Sequence, residues 1–164
     1  MKKIKNTLIN DLGDLCKKHH LTLVTTESCT GGGLAFELSK CKMCSSNLER
    51  GYITYSNQSK ESVLGVNLDT ILLKGAVSEE VAIEMAEGAL KKSLAQVSVS
   101  ITGIAGEDSS KEKEGQAWIA ISMIDYLTLT KKVEFTGNRK KFIEFVIEKS
   151  IRFLYESIKN QYDK

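Results

Sequence analysis

The hydrophobic period changes repeatedly along this chain, and that alternation narrows the fold more than any single motif does. Ile4, Leu8, Leu12 and Leu15 recur on one face of a helix. Residues 21–26, LTLVTT, form a short β-branched run and predict a strand. Gly31, Gly32 and Gly33 open a second helix that runs to about Ser39, and a polar, cysteine-containing loop follows. Residues 52–55 read as a second strand, and residues 60–64 as the start of a short helix. Ser78 is a suitable N-cap, with Glu79 and Glu80 in the electropositive first turn. Behind it Val81, Ala82, Met85, Ala86 and Ala89 form a stripe of small apolar residues, which predicts a helix lying close against a sheet. Residues 97–101 predict a third strand. Residues 118–124 and 126–135 predict two more, joined as a hairpin at Asp125. Ile143, Ile147, Ile151, Leu154 and Ile158 repeat at helical spacing and predict a long C-terminal helix covering the sheet. The order α-β-α-β-α-α-β-β-β-α argues an α/β sandwich whose sheet is mixed, because the hairpin adds antiparallel pairing.

The 164 residues suit one domain, taken as residues 1–164, with no linker or repeat. A net charge of +2, with acids and bases interspersed, gives no electrostatic stripe, so no nucleic-acid partner is expected. No apolar run approaches the roughly 18 residues of a membrane helix. The charged N-terminal stretch lacks the apolar core of a secretion signal, so a cytoplasmic protein is expected. Cys16, Cys29, Cys41 and Cys44 are then free thiols rather than a disulfide framework. Cys41 and Cys44 form one C-x-x-C, but no second ligand pair at a recognisable spacing accompanies it, so no metal is expected.

Ligands of open α/β sheets gather outside the carboxyl ends of strands, and three unusual segments fall there. Residues 26–33, TESCTGGG, put hydroxyls and glycines on a strand-to-helix turn, where helix amides can hold an oxyanion or a phosphate. Residues 52–60, YITYSNQSK, bring a phenol, hydroxyls, an amide and the Lys60 amine just past a strand. A lysine beside a serine acts as a base when burial depresses its pKa. Residues 102–106, TGIAG, form a glycine-bearing loop after the third strand. Read alone, the first segment reads more readily as a capped, glycine-rich turn, the third equally suits any tight turn, and Lys60 reads more readily as a solvated residue at a helix start.

Together the segments resemble the CinA C-terminal-domain family. Residues 26–32 are similar to its A-E-S-C-T-G-G, and residues 51–57 followed by Lys60 to its G-x-V-T-Y-S-N-x-x-K. Residues 75–78, GAVS, match its G-A-V-S, and Glu84, Met85, Ala86, Gly88 and Ala89 its E-M-A-x-G-A. Residues 102–106 match T-G-I-A-G, and Phe135, Gly137 and Arg139 its F-x-G-D-R. These motifs keep their order over residues 20–140. The resemblance implies a three-layer α/β/α sandwich with a mixed sheet. It implies an enzyme, usually a homodimer, that hydrolyses the carboxamide of nicotinamide mononucleotide without a cofactor or metal. It further implies Ser28 as nucleophile, Lys60 as base, Tyr55 orienting the pair and Thr102 contacting the site. The substrate would meet Thr30, Gly31, Gly32, Asn57, Gly103 and Arg139, with amides of residues 30–32 at the oxyanion and Arg139 on the phosphate. Some members carry a molybdopterin-binding-like domain, for which a chain of this length leaves no room.

The chain also departs from the pattern. Glu107 stands in place of a proline, and a Lys-Pro-Val-Gly element is reduced to Lys113, Glu114 and Gly115. Cys44 replaces the glycine of a G-S-S turn, Asn138 an aspartate and Ile143 a second arginine. Two other readings stay open at this point: an inactive nucleotide-binding module linked to competence or DNA damage, and Cys29 in place of Ser28 as the nucleophile.

Overall fold

A computed structural model describes residues 2–105 and 115–163, with side chains from Thr7 onward. Glu107, Lys113 and Glu114 lie outside the described residues, as does Gly106. The described chain holds five strands: β1 (Leu23–Glu27), β2 (Leu48–Ile53), β3 (Val97–Ile104), β4 (Gln116–Met123) and β5 (Leu129–Glu134). They form one sheet in the order β2-β1-β3-β4-β5. β1 pairs parallel with β2 and β3, while β4 runs antiparallel to both β3 and β5, so the sheet is mixed as the sequence predicts.

Two layers of helix cover it. Helices α1 (Lys2–Lys18), α2 (Gly33–Ser39), α3 (Lys42–Ser45) and α7 (Arg139–Tyr162) share one face. Alternation along the strands fills the core there: Leu23, Val97, Val99, Ile101, Ile119 and Ile121 meet Leu12, Leu34, Leu38, Phe142 and Ile151. The other face is thinner. It carries α4 (Asn57–Ser59), a π-helical turn (Lys60–Leu64), α5 (Leu68–Lys74) and α6 (Glu79–Lys91). Ala82 and Ala86 pack on Ala120, and the Ser100 hydroxyl donates to the Ala82 carbonyl at 2.6 Å. The small-residue stripe therefore does bring α6 against the sheet.

Strand ends shift by a few residues from the sequence reading, β5 starting at Leu129 rather than Tyr126, and three other details differ. β2 begins at Leu48 and ends at Ile53, because Glu49, Arg50 and Gly51 are tolerated on an edge strand that pairs only with β1. Helix α3 occupies the expected cysteine loop, and Cys44, where the family has glycine, is buried on it with its thiol donating to the Ile9 carbonyl at 3.0 Å. Helix α5 has no apolar period long enough to be read. It is started by Asn67, whose side chain accepts from the Asp69 amide, and buries only Ile71.

After β1 the chain crosses one face through α2 and α3 to reach β2. It then crosses the opposite face through α6 to reach β3 on the other side of β1. The carboxyl end of β1 is thus a topological switch point, where loops diverge and leave a crevice.

Candidate active site

Ser28 follows β1 directly and is held by both neighbouring strands. Its own amide donates to the Ile101 carbonyl at 3.0 Å, and the Thr54 amide donates to the Glu27 carbonyl at 2.8 Å. Beyond Ser28 the backbone turns through Gly31 (φ 59°) and Gly32 (φ 93°), left-handed conformations that favour glycine, and enters α2.

Lys60 arrives from the second crossover. Ser56 and Ser59 cap each other's backbone at the start of α4, and the helix passes at Lys60 into the π-helical turn, a distortion common at functional sites. The Lys60 side chain is only 2% exposed. Its Nζ lies 3.1 Å from Ser28 Oγ, 3.0 Å from the Thr54 carbonyl and 3.3 Å from the Tyr55 carbonyl. A neutral amine has two N–H groups and one lone pair. Two carbonyls can take the hydrogens, which leaves the lone pair for the serine proton. Burial pulls this amine below the ordinary lysine value, because desolvation penalises the ammonium form.

A cavity of about 380 Å³ opens onto the pair. Ser28, Tyr55, Asn57, Lys60, Thr102, Gly103 and Arg139, each singled out in the sequence, all line it, together with Cys29, Ala76 and Ile104. The Thr102 hydroxyl donates to the Ala76 carbonyl at 2.7 Å and so fixes the wall formed by Gly75, Ala76 and Val77. Arg139 stands at the first turn of α7, donates to the Tyr55 phenol at 2.7 Å and is exposed at the mouth. Asn138, where the family has aspartate, still caps that helix by accepting from the Lys141 amide at 3.0 Å. Ile143 is half-buried against the main core, so no second guanidinium joins Arg139 there.

The turn amides are arranged otherwise than the sequence suggested. Thr30, Gly31 and Gly32 are not in the cavity wall. The Gly31 amide donates to the Ser28 carbonyl at 3.0 Å, and the Gly32 amide to Glu27 at 3.2 Å. The reason is Glu27, to which the sequence reading assigned no role. Its carboxylate is fully buried and accepts from the Thr30 hydroxyl and from the amides of Gly32, Leu34 and Ala35. An acid just before a glycine-rich helix start was the available signal.

Cys29 lies beside Ser28 but is buried, and its thiol is pushed up to about 12, first by burial and further by the charge of Glu27. It remains protonated at neutral pH, which argues against it as the nucleophile. Cys16, Cys41 and Cys44 are free thiols as well. Among the described residues, no group of three or more His, Cys, Asp or Glu is gathered to hold a metal ion, and no helix is long and apolar enough to cross a membrane.

Comparison with known proteins identifies relatives of the whole chain. The chain is 40% identical over 134 residues to the nicotinamide-nucleotide amidohydrolase PncC of Escherichia coli K12, covering 80% of this chain and 81% of that one. It is 39% identical over 132 residues to a CinA-like protein of Colwellia psychrerythraea, of which it spans 30%. Among solved structures, a competence damage-inducible protein A from Klebsiella pneumoniae superposes with a TM-score of 0.90 at 26% identity, covering 96% of this chain and 98% of that one. A CinA-superfamily protein of E. coli gives 0.87 at 30% identity, covering 93% and 90%. With the family model of the CinA C-terminal domain matching residues 5–158, the chain belongs to the CinA C-terminal-domain family.

Proposed function

We propose that this chain hydrolyses the carboxamide of nicotinamide mononucleotide, releasing ammonia and nicotinate mononucleotide, with Ser28 as nucleophile and Lys60 as general base. The observation that carries the reading is the 3.1 Å contact between Ser28 Oγ and a buried Lys60 Nζ at the floor of the cavity. The relationship to an amidohydrolase named for nicotinamide nucleotides supplies the substrate class.

Ser28 Oγ attacks the carboxamide carbon and gives its proton to Lys60, generating a tetrahedral oxyanion. Collapse of that species transfers the proton to the amino group and expels ammonia, leaving a nicotinoyl ester on Ser28. Water, deprotonated by Lys60, then frees the acid. Of the amides of residues 30–32, that of Thr30 has no acceptor among the described residues and is the candidate to receive the oxyanion. Tyr55 serves through its carbonyl, which orients Lys60, and through its phenol, which Arg139 holds. Arg139, being exposed at the mouth, takes the 5′-phosphate in a charge-assisted contact.

The enzyme works in the cytoplasm, needs no nucleic-acid partner, and returns nicotinamide nucleotide to the deamidated branch of NAD synthesis. It functions as a homodimer. The edge strand β2 and the adjoining helix expose Ile53 (58%) and Phe36 (62%) next to the site, a surface that a second copy would cover. Light scattering of the native chain and of Phe36→Glu tests this, and a monomeric native chain overturns it. The catalytic reading is tested by incubating the chain with nicotinamide mononucleotide and measuring ammonia and nicotinate mononucleotide together. Stoichiometric release that disappears in Ser28→Ala is expected, and absence of release from the native chain refutes the substrate assignment.

A further inference from the structure

Glu27 is a buried carboxylate bound only by neutral donors. One oxygen accepts from Thr30 Oγ1 at 2.5 Å, Leu34 N at 3.0 Å and Gly32 N at 3.2 Å, and the other accepts from Ala35 N at 2.9 Å. No ion pair to it is found among the described residues. A charge in such surroundings is costly to bury and is retained only where its hydrogen bonds are complete. All four donors come from the turn that Ser28 opens and from the first residues of α2. That turn contains Gly31 and Gly32 in left-handed conformation and so has little stiffness of its own. The carboxylate closes it into a loop with both ends tied, one through the β1 backbone and one through α2.

We propose that Glu27 is a positioning residue, whose carboxylate clasps residues 30–35 so that Ser28 Oγ stays seated at the Lys60 amine. The inference rests on the Ser28–Lys60 reading above. By occupying the amides of Gly32, Leu34 and Ala35, Glu27 also takes up the positive end of α2 that would otherwise favour a thiolate at Cys29.

Glu27→Gln keeps the shape but presents an NH₂ group where an oxygen accepted, so at least one donor of the clasp faces another donor. A fluorophosphonate reads Ser28 independently of the natural substrate: Ser28 Oγ bonds to phosphorus, fluoride leaves, and the serine proton passes to Lys60. In folded Glu27→Gln, kcat for nicotinamide mononucleotide should fall about a hundred-fold with KM within about two-fold, the scale of loss for a misplaced reacting group. Labelling of Ser28 should slow by a similar factor yet still reach one label per chain, whereas a merely structural role would lower the endpoint. Turnover and labelling rates within about three-fold of the native chain, or a reduced endpoint that accounts for the whole loss, overturn the proposal. Should Glu27→Gln not fold, Thr30→Val removes one donor of the clasp, and about a ten-fold loss in the labelling rate is expected, with an unchanged rate refuting the clasp. A native chain labelled at Ser28 but inert toward the mononucleotide removes the substrate assignment and leaves Glu27 to be judged by labelling. A native chain not labelled at Ser28 removes both.

Discussion

Replacing Gly88 by alanine should damage this protein in two measurable ways. In an ordinary helix interior the change would stabilise by about 0.8–1 kcal/mol. Here the added Cβ would stand 2.1 Å from the Leu64 carbonyl oxygen and 3.0 Å from its carbonyl carbon. The obstacle is backbone, and Leu64 ends the π-helical turn that begins at Lys60. To restore an allowed contact, α6 and that turn must separate by about 1 Å, and overpacking of this kind costs roughly 1–3 kcal/mol. The strain meets or outweighs the propensity gain, for a net loss of up to about 2 kcal/mol. In a chain of this size that lowers Tm by up to about 8 °C. The movement reaches Lys60 through the turn it heads. A misplacement of 1 Å at a reacting group is worth about a hundred-fold, so kcat should fall by roughly ten- to a hundred-fold even well below Tm. Thermal unfolding followed by circular dichroism, paired with ammonia release at 25 °C, measures both quantities. A Gly88→Ala protein with Tm at or above the native value and full kcat would show that the α6 contact does not seat Lys60.

Ser28→Ala should lower kcat at least about a thousand-fold while leaving Tm within a few degrees, whereas Cys29→Ala should keep most of its turnover, and the reverse pattern would exchange their roles. Turnover should rise with pH through the lowered Lys60 ionisation, and that limb should vanish in Lys60→Met; a limb that persists points to another base. Because the fold holds this amine below 10.5, protonation destabilises the native state. The stability advantage of Lys60→Met should therefore be greatest below the lowered folded pKa and shrink as pH climbs toward 10.5, which urea unfolding across that window measures. Arg139→Ala should raise KM for the mononucleotide by roughly ten- to a hundred-fold, from a lost contact of about 1.5–3 kcal/mol, and should change hydrolysis of the phosphate-free riboside little. Equal losses on both substrates would remove Arg139 from the phosphate.

Much of the fold was legible because its strongest signals are periodic. The stripe of small residues on α6 and the isoleucine repeat of α7 each report one buried face, and both helices lie where those faces require. The edge strand was displaced in the reading because β2 buries little and so lacks the alternation that marks a half-buried strand. At the site, the motifs gave residue identities but not pairings. Lys60 alone resembles any surface lysine, and only the crossovers on opposite faces of the sheet carry it to Ser28, 32 positions earlier. Glu27 escaped notice for a related reason. Its partners are backbone amides, which no side-chain pattern reveals.

The single-sided pairing of β2 has a further consequence for how the molecule fails. β1 and β3 are interior strands, while β2 is fastened to the sheet along one edge only, and the segment bearing Tyr55 and Lys60 hangs from its end. Peripheral strands of this kind detach in sub-global openings that require less free energy than complete unfolding. Catalytic competence is thus coupled to an edge of the sheet rather than to its centre. In a urea titration, activity should be lost before the helical signal, and amides of residues 48–54 should exchange with deuterium sooner than those of residues 97–102.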